Sequence, residues 1–173
     1  MPKSLPNQST IVIIGGGVVG CSIAYHLTKL GISDVLLLER KQLSSGTTWH
    51  AAGLVGQLRA TKNLTQLAKY STELYAGLEA ATGQATGFKQ NGSLALATHG
   101  ERLEELRRGA SMARVFGLAV EEVGREEILS MHPLLNVDDV VGVVFLPKDG
   151  QINPSDLTQA LAKGARGGGA TIL

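Results

Sequence analysis

Two short apolar runs, Ile11-Val12-Ile13-Ile14 and Val35-Leu36-Leu37-Leu38, stand out early in the chain. Unbroken runs of this length predict strands buried on both faces, as in a parallel sheet. Between them, Val18 to Leu30 carries Ile23, Ala24, Leu27 and Leu30 at helical spacing, with Gly31 as the stop. A second helix is predicted over about Lys62 to Ala81, with Leu64, Leu67, Ala68, Ser71, Tyr75 and Leu78 inward, ending near Gly83. The rhythm then changes. Phe88 to Gln90 and Ser93 to Ala97 flank Asn91-Gly92, a pair that favours a two-residue hairpin turn. Thr98-His99-Gly100-Glu101 reads as a capping box before a helix to about Phe116, with Leu103, Leu106, Ala110 and Ala113 inward. A short strand over Ala119 to Val123, a brief helix over Glu126 to Met131 and a strand over Val140 to Leu146 follow. Asn153-Pro154 supplies a cap and a first-turn proline for a helix to about Arg166, and Ala170 to Leu173 reads as another strand.

The junction of the first strand and helix is Gly15-Gly16-Gly17-Val18-Val19-Gly20. Gly15 permits the sharp turn, Gly17 lets a pyrophosphate approach the backbone, and Gly20 lets helix and strand pack closely. A phosphate placed there meets free amides, including those of Val18 and Val19, and the positive end of the helix dipole. Glu39, followed by Arg40, closes the second strand about 20 residues on, where a carboxylate accepts hydrogen bonds from a ribose. The pattern predicts an α/β fold. A Rossmann-like dinucleotide-binding domain covers residues 1–87, is interrupted over 88–146 by part of an antiparallel-sheet (α+β) domain, and resumes over 147–173. A doubly wound sheet needs more strands than these, so the chain is expected to be an incomplete portion of a larger protein, inactive alone.

Composition narrows the classes. At 173 residues the chain is long enough to bury a core. A net charge of +1 without a basic cluster gives no electrostatic case for nucleic acid. The single cysteine, Cys21, lies inside the first helix and reads as a small packing residue. No apolar run approaches the roughly 20 residues of a membrane span. Met1 to Thr10 has neither the apolar block of a secretory signal nor the arginines of a transit peptide. These readings point to the cytoplasm, or to the mitochondrial matrix for a eukaryotic parent whose leader has been removed. His26, His99 and His132 are scattered, so no metal site is expected.

The loop after Glu39 reads Ser44-Ser45-Gly46-Thr47-Thr48-Trp49-His50-Ala51-Ala52-Gly53-Leu54. Its small residues, hydroxyls and backbone donors suit it to wrap a pyrophosphate and reach a flavin ring. Here the sequence resembles the dimethylglycine and sarcosine dehydrogenase group of FAD-dependent amine oxidoreductases, within the D-amino acid oxidase-like superfamily. The likeness runs from Ile11 over nearly the whole chain. It includes Tyr70-Ser71, Glu79-Ala80-Ala81-Thr82-Gly83, Gln90-Asn91-Gly92-Ser93, His132-Pro133-Leu134-Leu135-Asn136-Val137-Asp138-Asp139 and Pro147-Lys148-Asp149-Gly150. Gly46-Thr47-Thr48-Trp49-His50-Ala51-Ala52-Gly53 is its most specific part.

The resemblance implies FAD as cofactor, held through the glycine turn, Glu39, Arg40 and Gly46 to Leu54, with His50 bonded covalently to the isoalloxazine. From spacing alone, His50 reads as a residue that only lines the pocket or caps the loop. The resemblance further implies oxidation of an N-methylated glycine, electron transfer to an electron-transfer flavoprotein or oxygen, and a folate-binding portion, using tetrahydrofolate, outside this stretch. Arg59 is a candidate partner for a substrate carboxylate, a surface ion pair being the alternative. No catalytic acid or base is assigned. Two other readings stay open. One is a superfamily enzyme with non-covalent flavin and a different amine or hydroxy-acid substrate. The other is a non-catalytic relative resembling the regulatory subunit of pyruvate dehydrogenase phosphatase, whose attachment run is degraded, in contrast to the intact Trp49 to Gly53 here.

Overall fold

The computed structural model describes residues 5–173, so the leader reading from Met1 lies partly outside the described residues. The elements are β1 (Ile11–Ile14), α1 (Val18–Lys29), β2 (Val35–Leu38), a 3-10 turn (Thr48–His50), β3 (Leu54–Val55), α2 (Lys62–Thr82), β4 (Ser93–Ala97), α3 (Gly100–Val115), β5 (Glu121–Val123), α4 (Arg125–Met131), β6 (Gly142–Leu146), β7 (Gly150–Gln151), α5 (Pro154–Gly167) and β8 (Thr171–Ile172). They form two compact units. The first holds the chain up to Leu54 with Leu74–Phe88 and Gln151–Leu173; the second holds Val55–Glu73 and Lys89–Gly150.

In the first unit the order is β1-β2-β8, with β2 parallel to both neighbours. Central position explains why Val35, Leu36 and Leu37 are all buried. Asp34 fixes the entry to β1, its carboxylate accepting from the Thr10 amide at 2.8 Å and the Ser9 hydroxyl at 3.0 Å. α1 and α5 pack together. The buried positions of α1 are Gly20, Cys21, Ala24 and Tyr25. A Cβ on Gly164 would stand 2.5 Å from the Tyr25 ring, so glycine makes that ring's slot. The predicted stripe of α1 is therefore corrected, because Ile23 is exposed and Leu30 is 77% exposed. α5 starts as expected, with Asn153 Oδ1 accepting from the amides of Ser155 at 3.0 Å and Asp156 at 3.2 Å. Cys21 is fully buried, and that burial pushes its thiol up to about 11.

The second unit is built on an antiparallel sheet in the order β4-β6-β5. Val144 and Leu146 pack with Ala110 and Ala113 of α3 and with Leu118 and Val120. On the opposite face, Val143 joins Ile128, Val137 and Val140, with Leu94, Leu96 and Phe145 against them. Three local expectations change. Asn91-Gly92 makes no hairpin, since β4 pairs with β6, and the Gly92 amide donates to the Asp149 carbonyl at 2.9 Å. The N-cap of α3 is His99 rather than Thr98, its Nδ1 lying 3.3 Å from the Arg102 amide. Along α2, Thr65, Thr72 and Leu78 are buried, whereas Leu67 is 62% exposed. Threonine is tolerated inside because its hydroxyl bonds the backbone, as from Thr72 Oγ1 to the Ala68 carbonyl at 3.0 Å.

Candidate cofactor site

The site begins where β1 runs out. Gly15 adopts φ 110°, a conformation that favours glycine, and its amide donates to the Leu38 carbonyl at 2.8 Å. This bond ties the turn to the end of β2. Gly17 is the N-cap of α1 and, lacking a side chain, caps nothing itself. The hydroxyl of Thr48 takes that place, accepting from the Val18 amide at 3.0 Å. A helix N-terminus whose cap comes from a separate loop suits an exchangeable anion.

Glu39 lies across the same turn. Its Oε2 accepts from the Gly16 amide at 2.8 Å and its Oε1 from the Lys41 amide at 2.9 Å. Those two N–H donors hold the carboxyl below its ordinary range, and the Thr10 and Ser9 donors do the same for Asp34. A depressed folded-state pKa contributes stability above the unfolded value and loses it as pH falls through the folded one. Thermal stability is thus expected to be flat near neutrality and to fall below about pH 4. Combining Glu39→Gln with Asp34→Asn should flatten that acid limb in melts from neutral to acid pH; an unchanged limb would exclude both groups as its source.

The loop that follows is seated at both ends. Ser44, buried and at φ 67°, donates its amide to the Gly16 carbonyl at 2.9 Å and its hydroxyl to Ser155 Oγ at 3.2 Å. At the far end the Ile152 amide donates to the Gly53 carbonyl at 2.8 Å, and a Cβ on Gly53 would run into the Ile152 carbonyl. Between them the Thr48–His50 turn lies against α5. His50 is exposed and Trp49 is 59% exposed, their rings edge-on with centroids 4.0 Å apart.

These elements enclose a cleft of about 390 Å³ lined by Gly15, Gly17, Val18, Val19, Gly20, Glu39, Gly46, Thr47 and Thr48, with an apolar wall of Ile13, Ile14 and Ile23. Arg40, Trp49, His50, Ala51, Ala52, Gly53 and Leu54 are not in its lining. The isoleucine wall was not among the sequence-derived site residues; its signal was an apolar strand end next to a glycine turn. The chemistry fits a dinucleotide: amides and a helix N-terminus for the pyrophosphate, a carboxylate for ribose hydroxyls, and an apolar wall for a ring. Among the described residues no group of three or more His, Cys, Asp or Glu could hold a metal ion. In the second unit the Arg59 guanidinium donates to the Leu58 carbonyl at 2.9 Å. That unit also has a hollow of about 450 Å³ lined by Leu94, Leu96, Met131, Leu135 and Phe145, with Asn91, Gly92 and His132. Among the described helices none is long and apolar enough to cross a membrane.

Comparison with known proteins gives the site its context. The family model for FAD dependent oxidoreductases (DAO) matches residues 10–173. Human mitochondrial sarcosine dehydrogenase is 40% identical over 172 residues, 99% of this chain and 19% of the relative. Human mitochondrial dimethylglycine dehydrogenase is 45% identical over 168 residues, 96% of this chain and 19% of the relative. The mouse pyruvate dehydrogenase phosphatase regulatory subunit is 40% identical over 169 residues, again 19% of its length. The chain thus spans about a fifth of these relatives. Among solved structures, the L-proline dehydrogenase from P. horikoshii superposes with a TM-score of 0.91 at 32% identity, over 98% of this chain and 44% of that one.

Proposed function

The chain belongs to the FAD dependent oxidoreductase family, and from that premise we propose that it is the cofactor-binding portion of an enzyme that oxidatively demethylates dimethylglycine or sarcosine. One observation carries the reading: a single cleft gathers the glycine turn, Glu39 and Gly46 to Thr48, with exposed His50 two residues after Thr48 in the chain. Bound FAD supplies a two-electron acceptor for an amine C–N oxidation. The Val19 amide, the Val18 amide once Thr48 turns aside, and the α1 dipole hold the pyrophosphate, and Glu39 takes the ribose hydroxyls. Arg40 and Gly46 to Leu54 complete the cofactor contacts, with His50 as the covalent attachment residue. The first unit is the FAD-binding domain and the second is part of the substrate domain. Loss of two electrons and a proton from the substrate's N-methyl amine gives an iminium, and water releases the demethylated amine and a one-carbon unit. Electrons leave to an electron-transfer flavoprotein or to oxygen, and tetrahydrofolate takes the one-carbon unit in a separate domain. The protein works in the cytoplasm, or in the mitochondrial matrix of a eukaryote.

Identity to the phosphatase regulatory subunit supports a second, non-catalytic reading. Acid precipitation of the full-length protein separates them. Flavin that stays with the polypeptide supports covalent attachment, flavin released to the supernatant supports a non-covalent oxidase, and no flavin supports the regulator. His50→Ala is expected to keep its fold, to lose all acid-stable flavin and to retain reversible FAD binding. Peptide mass spectrometry checks this. A flavin-loaded wild type whose Trp49-His50 peptide has its unmodified mass would exclude the attachment role.

A further inference from the structure

We propose that Ser44 and Ser155 act as a pair of positioning residues, a hydroxyl contact that sets where the loop presents Thr48 and His50 to the cofactor. The inference rests on the FAD reading above. Among the described residues Ser44 is the single non-glycine residue at positive φ; at every other such position the chain uses glycine. A side chain there is disfavoured, so a site needing only the backbone shape would be better served by glycine. The serine is retained with its hydroxyl 3.2 Å from Ser155 Oγ and its residue 7% exposed. Ser155 is itself fixed, since its amide is held by Asn153 Oδ1 at the start of α5. Gly53, at the other end of the loop, is bonded to Ile152 in the same short stretch. Both ends therefore sit on residues 152–155, while Thr48 reaches the opposite way to the Val18 amide. With the ends fixed, the turn between them has little freedom over where its side chains point.

Trp49 lies inside this loop and serves as its reporter once any tryptophan elsewhere in the full-length protein is replaced by phenylalanine. Two variants preserve the fold by design. Ser44→Gly removes the hydroxyl and relieves the backbone, and Ser155→Ala removes the partner at a helical position that accepts alanine. In flavin-free full-length protein from a riboflavin-starved host, each is expected to shift iodide quenching of Trp49 away from the wild-type value. Each should also weaken FAD about fivefold, the order expected for one hydrogen bond, with melting unchanged. The double variant should be no worse than either single, and Ser155→Thr should restore wild-type values. Unchanged Trp49 quenching and FAD affinity, additive losses, or failure of Ser155→Thr to rescue would each overturn the proposal. Wild-type protein that fails to bind FAD would overturn the FAD reading instead, and Trp49 quenching would still decide the loop contact.

Discussion

Replacement of Gly20 by alanine is expected to destabilise the protein by roughly 3 kcal/mol and to abolish flavin retention. A Cβ at this position lands on the carbonyl oxygen of Gly15. That oxygen cannot swing aside easily, because it shares a planar peptide with the Gly16 amide, which donates to Glu39 Oε2 at 2.8 Å. The first turn of α1 must then lift from β1, taking Cys21 and Ala24 out of their buried positions. Gly17 differs in kind. Its added Cβ would stand 3.0 Å from the Thr48 hydroxyl, a side-chain atom that can rotate away. Gly17→Ala should therefore leave the fold in place while disturbing the loop and lowering flavin loading. Urea unfolding and the visible flavin absorbance per polypeptide check both substitutions; wild-type values for Gly20→Ala would refute the packing argument.

Asp149→Ala should cost about 2–4 kcal/mol, felt in the second unit. The residue is 5% exposed, and its carboxylate accepts from the Gln57 amide at 2.9 Å and the Ser93 hydroxyl at 2.7 Å. Gln57 is buried as well, so removing the acceptor leaves a backbone donor without water to replace it. Asp149→Asn keeps an acceptor oxygen for one of the two donors and should lose about half as much. Ser93→Ala removes a donor and leaves the Gln57 bond intact, so its cost should be the smallest of the three. The order Ala, Asn, then Ser93→Ala in denaturant midpoints is the test, and a loss under about 1 kcal/mol for Asp149→Ala would contradict it.

What was legible in the sequence is what local chemistry decides. Asn153-Pro154 starts α5 and Gly31 stops α1, because cap and terminator act within a few residues. The glycine turn and Glu39 were legible for the same reason, both lying close to β1 and β2. The Asn91-Gly92 reading failed because the positive φ of Gly92 is used by distant partners, Asp149 and the Phe145 ring, against which a Cβ would collide. The buried stripes of α1 and α2 slipped because which face is inward depends on the partner. α1 meets α5 where the Tyr25 ring lies over Gly164 and Thr28 over Gly168, and its larger aliphatic Ile23 and Leu30 are exposed. Ser44 gave no signal, since serine is not the residue that marks a left-handed backbone.

The seat of the cofactor loop has a consequence in time. Ser44 waits for a partner 111 residues further along the chain, and β2 receives its second neighbour only from β8. Local helices can form as the chain emerges, but contacts of such separation carry the loop-closure entropy of everything between them. On a ribosome the whole second unit is therefore synthesised before the first can close. The glycine turn is made well before α5, yet the loop that completes the cleft beside it is fixed only when α5 arrives.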